Sequence, residues 1–175
     1  EDLQQTLLDT LRGLTGGYSL VASDGETLIG ARDPWGLRPL SFGCKDGVYF
    51  FASEDSALKG AEKVVNVEPG EMMIVTPDGV ESEHIYFVGE PAFCAMEGAY
   101  FARPDTNFDG RNVQMARYDK GRLMARQEKA GFHADMVVGV PESGIDDALG
   151  YADESGIPFV RAIAKNPYIG RVFIQ

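Results

Sequence analysis

Apolar positions along the chain change their period twice. Leu3, Leu7, Leu8, Leu11 and Leu14 recur at three- and four-residue steps, which predicts an amphipathic first helix. Gly13, Gly16 and Gly17 end it. Short apolar stretches then alternate with turn sequences. Tyr18–Ala22, Leu28–Ala31, Val48–Ala52, Val64–Val67, Met72–Thr76 and His84–Val88 read as strands. Between them lie Ser23-Asp24-Gly25, Lys45-Asp46-Gly47, Glu68-Pro69-Gly70 and Pro77-Asp78-Gly79, whose glycines supply the positive φ that tight turns need. Ser53–Lys59 reads as a short helix capped by Ser53.

The pattern becomes helical again after Gly89-Glu90-Pro91. Gly110 to Gly131 is helix-like, Asp135–Val140 is a buried-strand pattern, and Pro141-Glu142-Ser143-Gly144 is a tight loop. Ile145–Ser155 is a second helix, with Gly156 where a left-handed terminator belongs, and Pro158–Ala164 is a further strand. Strand, loop, helix and strand in that order predict a parallel βαβ unit. A strand-rich half over 1–88 therefore precedes an α/β half over 89–175.

Composition narrows the class. With 175 residues, 44% hydrophobic and 25% charged, the chain can build a globular core. Sixteen Lys and Arg stand against 27 Asp and Glu, a net charge of −11, which argues against nucleic acid and anionic membranes as partners. No apolar run is long enough to span a bilayer. Two cysteines, Cys44 and Cys94, exclude a disulfide scaffold. With no secretory leader in the sequence, this points to a reducing, cytoplasmic setting. Residues 157–175 contain Arg161, Lys165 and Arg171 and no acid, a pattern suited to a small anionic ligand or to a solvated loop.

One loop is a chemical candidate. Pro141–Gly144 sits between a buried strand and a helix, where backbone N–H groups can hold a phosphate and the Ser143 hydroxyl could reach a phosphate or a hydrated metal. The competing reading is a plain βα turn with Ser143 capping the helix. Cys94 is either a small buried hydrophobe, a nucleophile or one ligand of a cluster. Cys44, at a hairpin, reads as structural. His84 and His133 have no ligand-spaced partners. These residues do not by themselves reach a reaction.

Longer motifs do. Arg32-Asp33-Pro34-Trp35-Gly36-Leu37-Arg38-Pro39-Leu40, followed by Ala52-Ser53-Glu54-Asp55-Ser56-Ala57-Leu58, resembles the second half of a class II glutamine amidotransferase domain. Cys94-Ala95-Met96-Glu97, Tyr100–Asp105, Gly139–Gly144, Gly150-Tyr151-Ala152, Ser155–Pro158 and Lys165–Gln175 resemble the glutamine phosphoribosylpyrophosphate amidotransferases in one collinear order. The resemblance implies an α+β architecture. It joins the C-terminal part of an N-terminal-nucleophile αββα domain over 1–88 to the linker and start of an α/β type I phosphoribosyltransferase domain over 89–175. It implies formation of 5-phosphoribosylamine from glutamine and phosphoribosyl pyrophosphate, the first committed step of purine synthesis.

Residue by residue, the resemblance makes Glu142, Ser143 and Gly144 the pyrophosphate loop, with Ser143 at the Mg2+-linked position. Lys165 would contact phosphate in a closing loop, and Tyr168 and Ile174 would line an ammonia channel. Cys94 would be one ligand of a [4Fe-4S] cluster. Purine nucleotides are implied as feedback inhibitors, and homo-oligomers as the assembly. The family usually has Asp at Glu142, Arg at Pro167 and Thr at Val172. Its nucleophile, an N-terminal cysteine, is not at Glu1, so the expectation is that these 175 residues alone hold no catalytic residue and are inactive. Two other readings stay open: an asparagine-synthetase-like amidotransferase fragment, and a non-catalytic regulatory or nucleotide-binding protein.

Overall fold

The computed structural model describes residues 2–85, 90–92, 94–108 and 110–170. The chain forms two compact units, Glu1–Gly110 and Arg111–Gln175.

In the first unit, helix α1 (Leu3–Arg12) is capped by the Asp2 side chain, which accepts the Gln4 N–H, and it ends at Gly13. Strands β1 (Ser19–Ser23), β2 (Leu28–Arg32), β6 (Glu71–Thr76) and β7 (Gly79–His84) form an antiparallel sheet in the order β1-β2-β6-β7. Strands β3 (Ser41–Lys45), β4 (Val48–Ala52) and β5 (Lys63–Asn66) form a second antiparallel sheet in the order β4-β3-β5.

The period-two alternation of β2 and β6 builds two core layers. Ile29, Ala31, Met72 and Ile74 face Leu8 and Leu11 of α1, with Ile85 joining them. Leu28, Met73 and Val75 face the other way and pack with Leu40, Phe42, Phe51 and Val67. Gly30 permits this second contact, because a Cβ there would overlap the Phe51 ring. The resulting order is helix, sheet, sheet. Strand β2 is buried on both faces, which suits its small-and-apolar run Leu28–Ala31, and it closes on the buried Arg32.

One local expectation fails. The helix after β4 is a single 3₁₀ turn, Asp55–Leu58, and it begins at Glu54 rather than at a Ser53 cap. A strand that the pattern did not indicate runs over Gly79–His84, directly out of the turn, while the strand expected at His84–Val88 falls mostly outside the described residues. Strand β7 is an edge strand, so Glu81 and Glu83 can face water, and its polarity hid it. Residues 86–89 lie outside the described residues.

In the second unit, α2 (Val113–Arg126) is capped by Asn112, whose side chain accepts the Met115 N–H. Helix α3 (Gly144–Ser155) ends at Gly156 in the left-handed region, φ 72°. The two helices cross at glycines. A Cβ on Gly121 would strike the Asp147 backbone, and one on Gly150 would strike the Tyr118 backbone. Val137 bridges Phe159 in parallel, with Val137 N–H donating to Pro158 at 2.9 Å and Val160 N–H donating to Val137 at 2.9 Å. The expected strands at 135–140 and 158–164 are thus reduced to one bridge, and the connection between them is the parallel strand–helix–strand path.

The compact units divide further along than the change of sequence character at residues 88–89. Residues 94–108 are bonded to the first unit by Glu97–Arg38, Arg103–Glu54, Thr106–Glu54 and Asn107–Asp55. No helix among the described residues is long and apolar enough to cross a membrane.

Candidate functional site

The loop after the Val137 bridge is shaped by its own backbone. Gly144 N–H donates to Val140 C=O at 3.0 Å, and Ile145 N–H donates to Glu142 C=O at 3.3 Å. The Pro141–Glu142 peptide is cis. Gly139 lets the helix start sit against the strand end, since a Cβ there would lie 2.8 Å from the Gly144 carbonyl oxygen. The loop therefore stands at the carboxyl end of a parallel strand and at a helix N-terminus, the geometry in which open α/β sheets take ligands.

Within it, Glu142 is exposed and Ser143 is partly buried. Ser143 has helical dihedrals and makes no side-chain capping bond, so the plain-cap reading fails and its hydroxyl is not spent on α3. Asp146 and Asp147 occupy the first turn, where carboxylates complement the helix dipole. Both are turned to α2, Asp146 accepting from Gln114 at 3.1 Å and Asp147 pairing with Lys120 at 3.0 Å. The neighbouring cavity, of about 300 Å³, is lined mainly by Met124, Phe132, Met136, Val138 and Ala148, so it is an apolar surface and not the anion site.

At the far end of α3, Glu154 ties the helix to α2. Arg126 donates to it at 2.8 and 3.0 Å, and Arg122 donates at 3.0 Å. Arg126 chiefly, then Arg122, hold the Glu154 carboxyl below its ordinary range.

The other sequence candidates are dispersed. Lys165 is exposed, in a stretch over 161–170 that is exposed throughout. The Asn166 side chain accepts the Tyr168 N–H at 2.9 Å, forming a turn that leaves Tyr168 94% exposed. Among the described residues no hydrogen bond or ion pair joins Lys165 or Tyr168 to Glu142, Ser143 or Gly144. Ile174 lies outside the described residues. Cys94 is partly buried, and its carbonyl accepts the Glu97 N–H at 3.0 Å. Cys44 lies in β3 opposite Tyr49, the structural place expected of it.

The amidotransferase-like motif forms a rigid corner. Asp33 is fully buried and accepts N–H groups from Trp35, Leu37 and Arg38 at 2.9–3.1 Å. Arg32 donates to the carbonyls of Gly36, Arg38 and Val67 and lies 5.6 Å from the Phe108 ring centroid. Two charged side chains thus stabilise one loop, Arg32 through carbonyls and Asp33 through amides. Sequence reading quoted the motif but missed the partner of Arg38, the buried Glu97, which is 4% exposed and 59 residues away.

Among the described residues no three His, Cys, Asp or Glu side chains converge as a metal site. The Ser143 hydroxyl, which makes no capping bond, is an oxygen of the kind Mg2+ takes alongside substrate phosphates. A complete [4Fe-4S] site does not fit, since it needs four thiolates where this chain has two cysteines.

Residues 2–60 match the family model described as a glutamine amidotransferase domain. The chain is 45% identical over 175 residues to the amidophosphoribosyltransferase of Mycobacterium tuberculosis, covering 99% of this chain and 33% of that one. It is 42% identical to the Bacillus subtilis amidophosphoribosyltransferase, covering 99% of this chain and 36% of that one. The structure of glutamine phosphoribosylpyrophosphate amidotransferase from B. subtilis, complexed with ADP and GMP, matches at 41% identity with a TM-score of 0.90. That match covers all of this chain and 38% of the solved one. The chain thus spans about a third of the length of these relatives.

Proposed function

We propose that this chain is part of an amidophosphoribosyltransferase, spanning about a third of the length of the relatives it matches, and that its protein makes 5-phosphoribosylamine from glutamine and phosphoribosyl pyrophosphate. The observation that carries this is one match running through both compact units, at a TM-score of 0.90 and 41% identity. A glutamine amidotransferase part alone would support only glutamine hydrolysis. The collinear second unit, with its loop at 141–144, adds the acceptor of the ammonia.

Water hydrolyses the glutamine side-chain amide to glutamate and ammonia. Ammonia then attacks the ribose C1, the new C–N bond forming as the C–O bond to pyrophosphate breaks, and the amine loses a proton. In this chain the loop 141–144 would receive the pyrophosphate. The Gly139 close approach sets the start of α3 against the strand end, so that the loop between them can face the ligand. Ser143 would offer its uncommitted hydroxyl beside Mg2+, while Gly144 opens the helix end. The ion would supply charge neutralisation where Glu142 would otherwise oppose a phosphate. Lys165 would fold from its exposed position onto the phosphates, and Tyr168 and Ile174 would shield ammonia from water. Pro167 lacks an N–H and a charge, so Pro167→Arg should lower the KM for phosphoribosyl pyrophosphate.

Cys94 would give one thiolate of a [4Fe-4S] cluster, the other ligands coming from outside these 175 residues. Purine nucleotides are proposed as inhibitors, supported by the ADP and GMP in the B. subtilis structure. A cytoplasmic homo-oligomer completes the reading.

The test is the native protein from its source cells, supplied with glutamine, Mg2+ and phosphoribosyl pyrophosphate. Pyrophosphate and glutamate should appear in equal amounts. Ser143→Ala and Lys165→Met should each raise the KM for phosphoribosyl pyrophosphate about tenfold, the scale of one charge-assisted hydrogen bond. Glutamine hydrolysis without any pyrophosphate release would overturn the proposal.

A further inference from the structure

We propose that residues 94–108 are a carboxylate-latched strap of the first unit, with Glu97 and Glu54 as the positioning residues that hold it as one wall of a cleft. The cleft, of about 410 Å³, is lined by Tyr18, Ser19, Arg38, Glu54, Glu97 and Phe101, with Gly17, Pro39 and Ser53. The strap supplies Glu97 and Phe101, and the Asp33–Leu40 corner supplies Arg38.

Three layers of contact define the strap. Its residues Ala102, Thr106 and Phe108 are 5%, 2% and 7% exposed, whereas Arg103 and Asp105 between them point to water. Carboxylates fix both ends. Glu97 accepts from Arg38, whose guanidinium lies 5.7 Å from the Phe101 ring centroid, and the Glu97 carbonyl closes the turn by accepting the Ala102 N–H at 2.9 Å. Glu54 accepts the Arg103 N–H at 3.2 Å and the Thr106 hydroxyl at 2.9 Å. Asp55 accepts both the backbone and side-chain N–H groups of Asn107 at 2.9 Å.

Arg38 therefore does two jobs with one guanidinium. It pairs with the strap's carboxylate and it faces the cleft. Glu54 likewise binds the strap and lines the cleft. Lifting the strap opens the cleft, because it carries Glu97 and Phe101 out of the cleft wall and parts Glu97 from Arg38. The latch is made of hydrogen bonds to charged groups at a half-wet boundary, which can open without unfolding the two core layers.

Trp35 is the protein's one tryptophan, and its carbonyl accepts the Ala92 N–H at 2.8 Å, so it reports on this corner. The experiment compares the purified chain with Glu97→Ala, Glu54→Ala and Thr106→Val by peptide-resolved hydrogen exchange and acrylamide quenching of Trp35. Exchange over 98–108 should rise at least tenfold in each variant, with β2 and β6 unchanged, and quenching should rise in Glu97→Ala. Glu97→Gln, which keeps an acceptor for Arg38, should restore most of the protection. Unchanged exchange in the strap would overturn the proposal. So would exchange rising equally in strap and sheets, or a freed strap with unchanged Trp35 quenching. Should Glu97→Ala fail to fold, Thr106→Val and Glu97→Gln carry the same decision.

Discussion

The two compact units are stabilised to different degrees by burial. The first encloses a core, with Leu11, Ile29, Met72, Val67 and Ile85 no more than 1% exposed, although Val21, Val48 and Phe101 stay 51–54% exposed at its surface. The second leaves Met115, Leu123, Met124, Phe132, Met136 and Val140 between 49% and 66% exposed, and holds its helices by glycine contacts and Arg–Glu pairs. Burial of apolar area is the large term in folding, whereas exposed ion pairs are small. Helix α1 buries two leucines, Leu8 and Leu11, whereas the longer α3 buries only Ala148 and Gly150.

The largest expected effect is in the closed core. Met72→Ala removes a fully buried side chain between α1 and β2, and should destabilise the first unit by about 2–5 kcal/mol. Denaturation followed by Trp35 emission checks it, and hydrogen exchange in α3 should stay unchanged. Next is the helix crossing. Gly150→Ala drives a methyl into the Tyr118 backbone and should cost the second unit about 3 kcal/mol, read as faster exchange in α2 and α3 with no change in β6. A smaller effect belongs to the corner loop. Asp33→Asn keeps the shape but removes the charge that gathers three N–H groups, and should cost about 2 kcal/mol in the Trp35 transition.

The smallest effect sharpens the contrast by pH. The Glu154 carboxyl is held below its ordinary value of 4.5, first by Arg126. A lowered folded-state value means the contribution is complete at neutral pH and is lost as pH falls through the acid range below that value. Exchange in α2 and α3 should rise as pH is lowered from 5 towards 3, after correction for intrinsic rates, and Glu154→Gln should flatten that dependence. The Asp105 carboxyl is lowered too, by Arg103 and then Lys59, so the strap should loosen in the same direction.

How much of this the sequence carried depends on where the partner of each residue lies. Helix α1 was legible because its apolar face is its own, repeating within ten residues. The Gly156 terminator was legible because one residue's dihedrals decide it. Ser53 was misread as a cap because Glu54 answers to Arg103 and Thr106, some fifty residues away. Strand β7 was missed because an edge strand can be polar. The loop at 141–144 was found where the strand–helix pattern put it, yet the free hydroxyl of Ser143 follows from its helical dihedrals, which no pattern reveals. Glu97 stood in a quoted motif, but its pairing with Arg38 was missed because the burial of a charge is invisible until its arginine is seen.

The account rests most directly on ligand capture by that loop. Hydrogen exchange of the native protein should be measured with and without phosphoribosyl pyrophosphate and Mg2+. Exchange should slow only in the peptide holding residues 141–146 and in the segment around Lys165, and Ser143→Ala should abolish that slowing. Unchanged exchange over 141–146 at saturating phosphoribosyl pyrophosphate would contradict it.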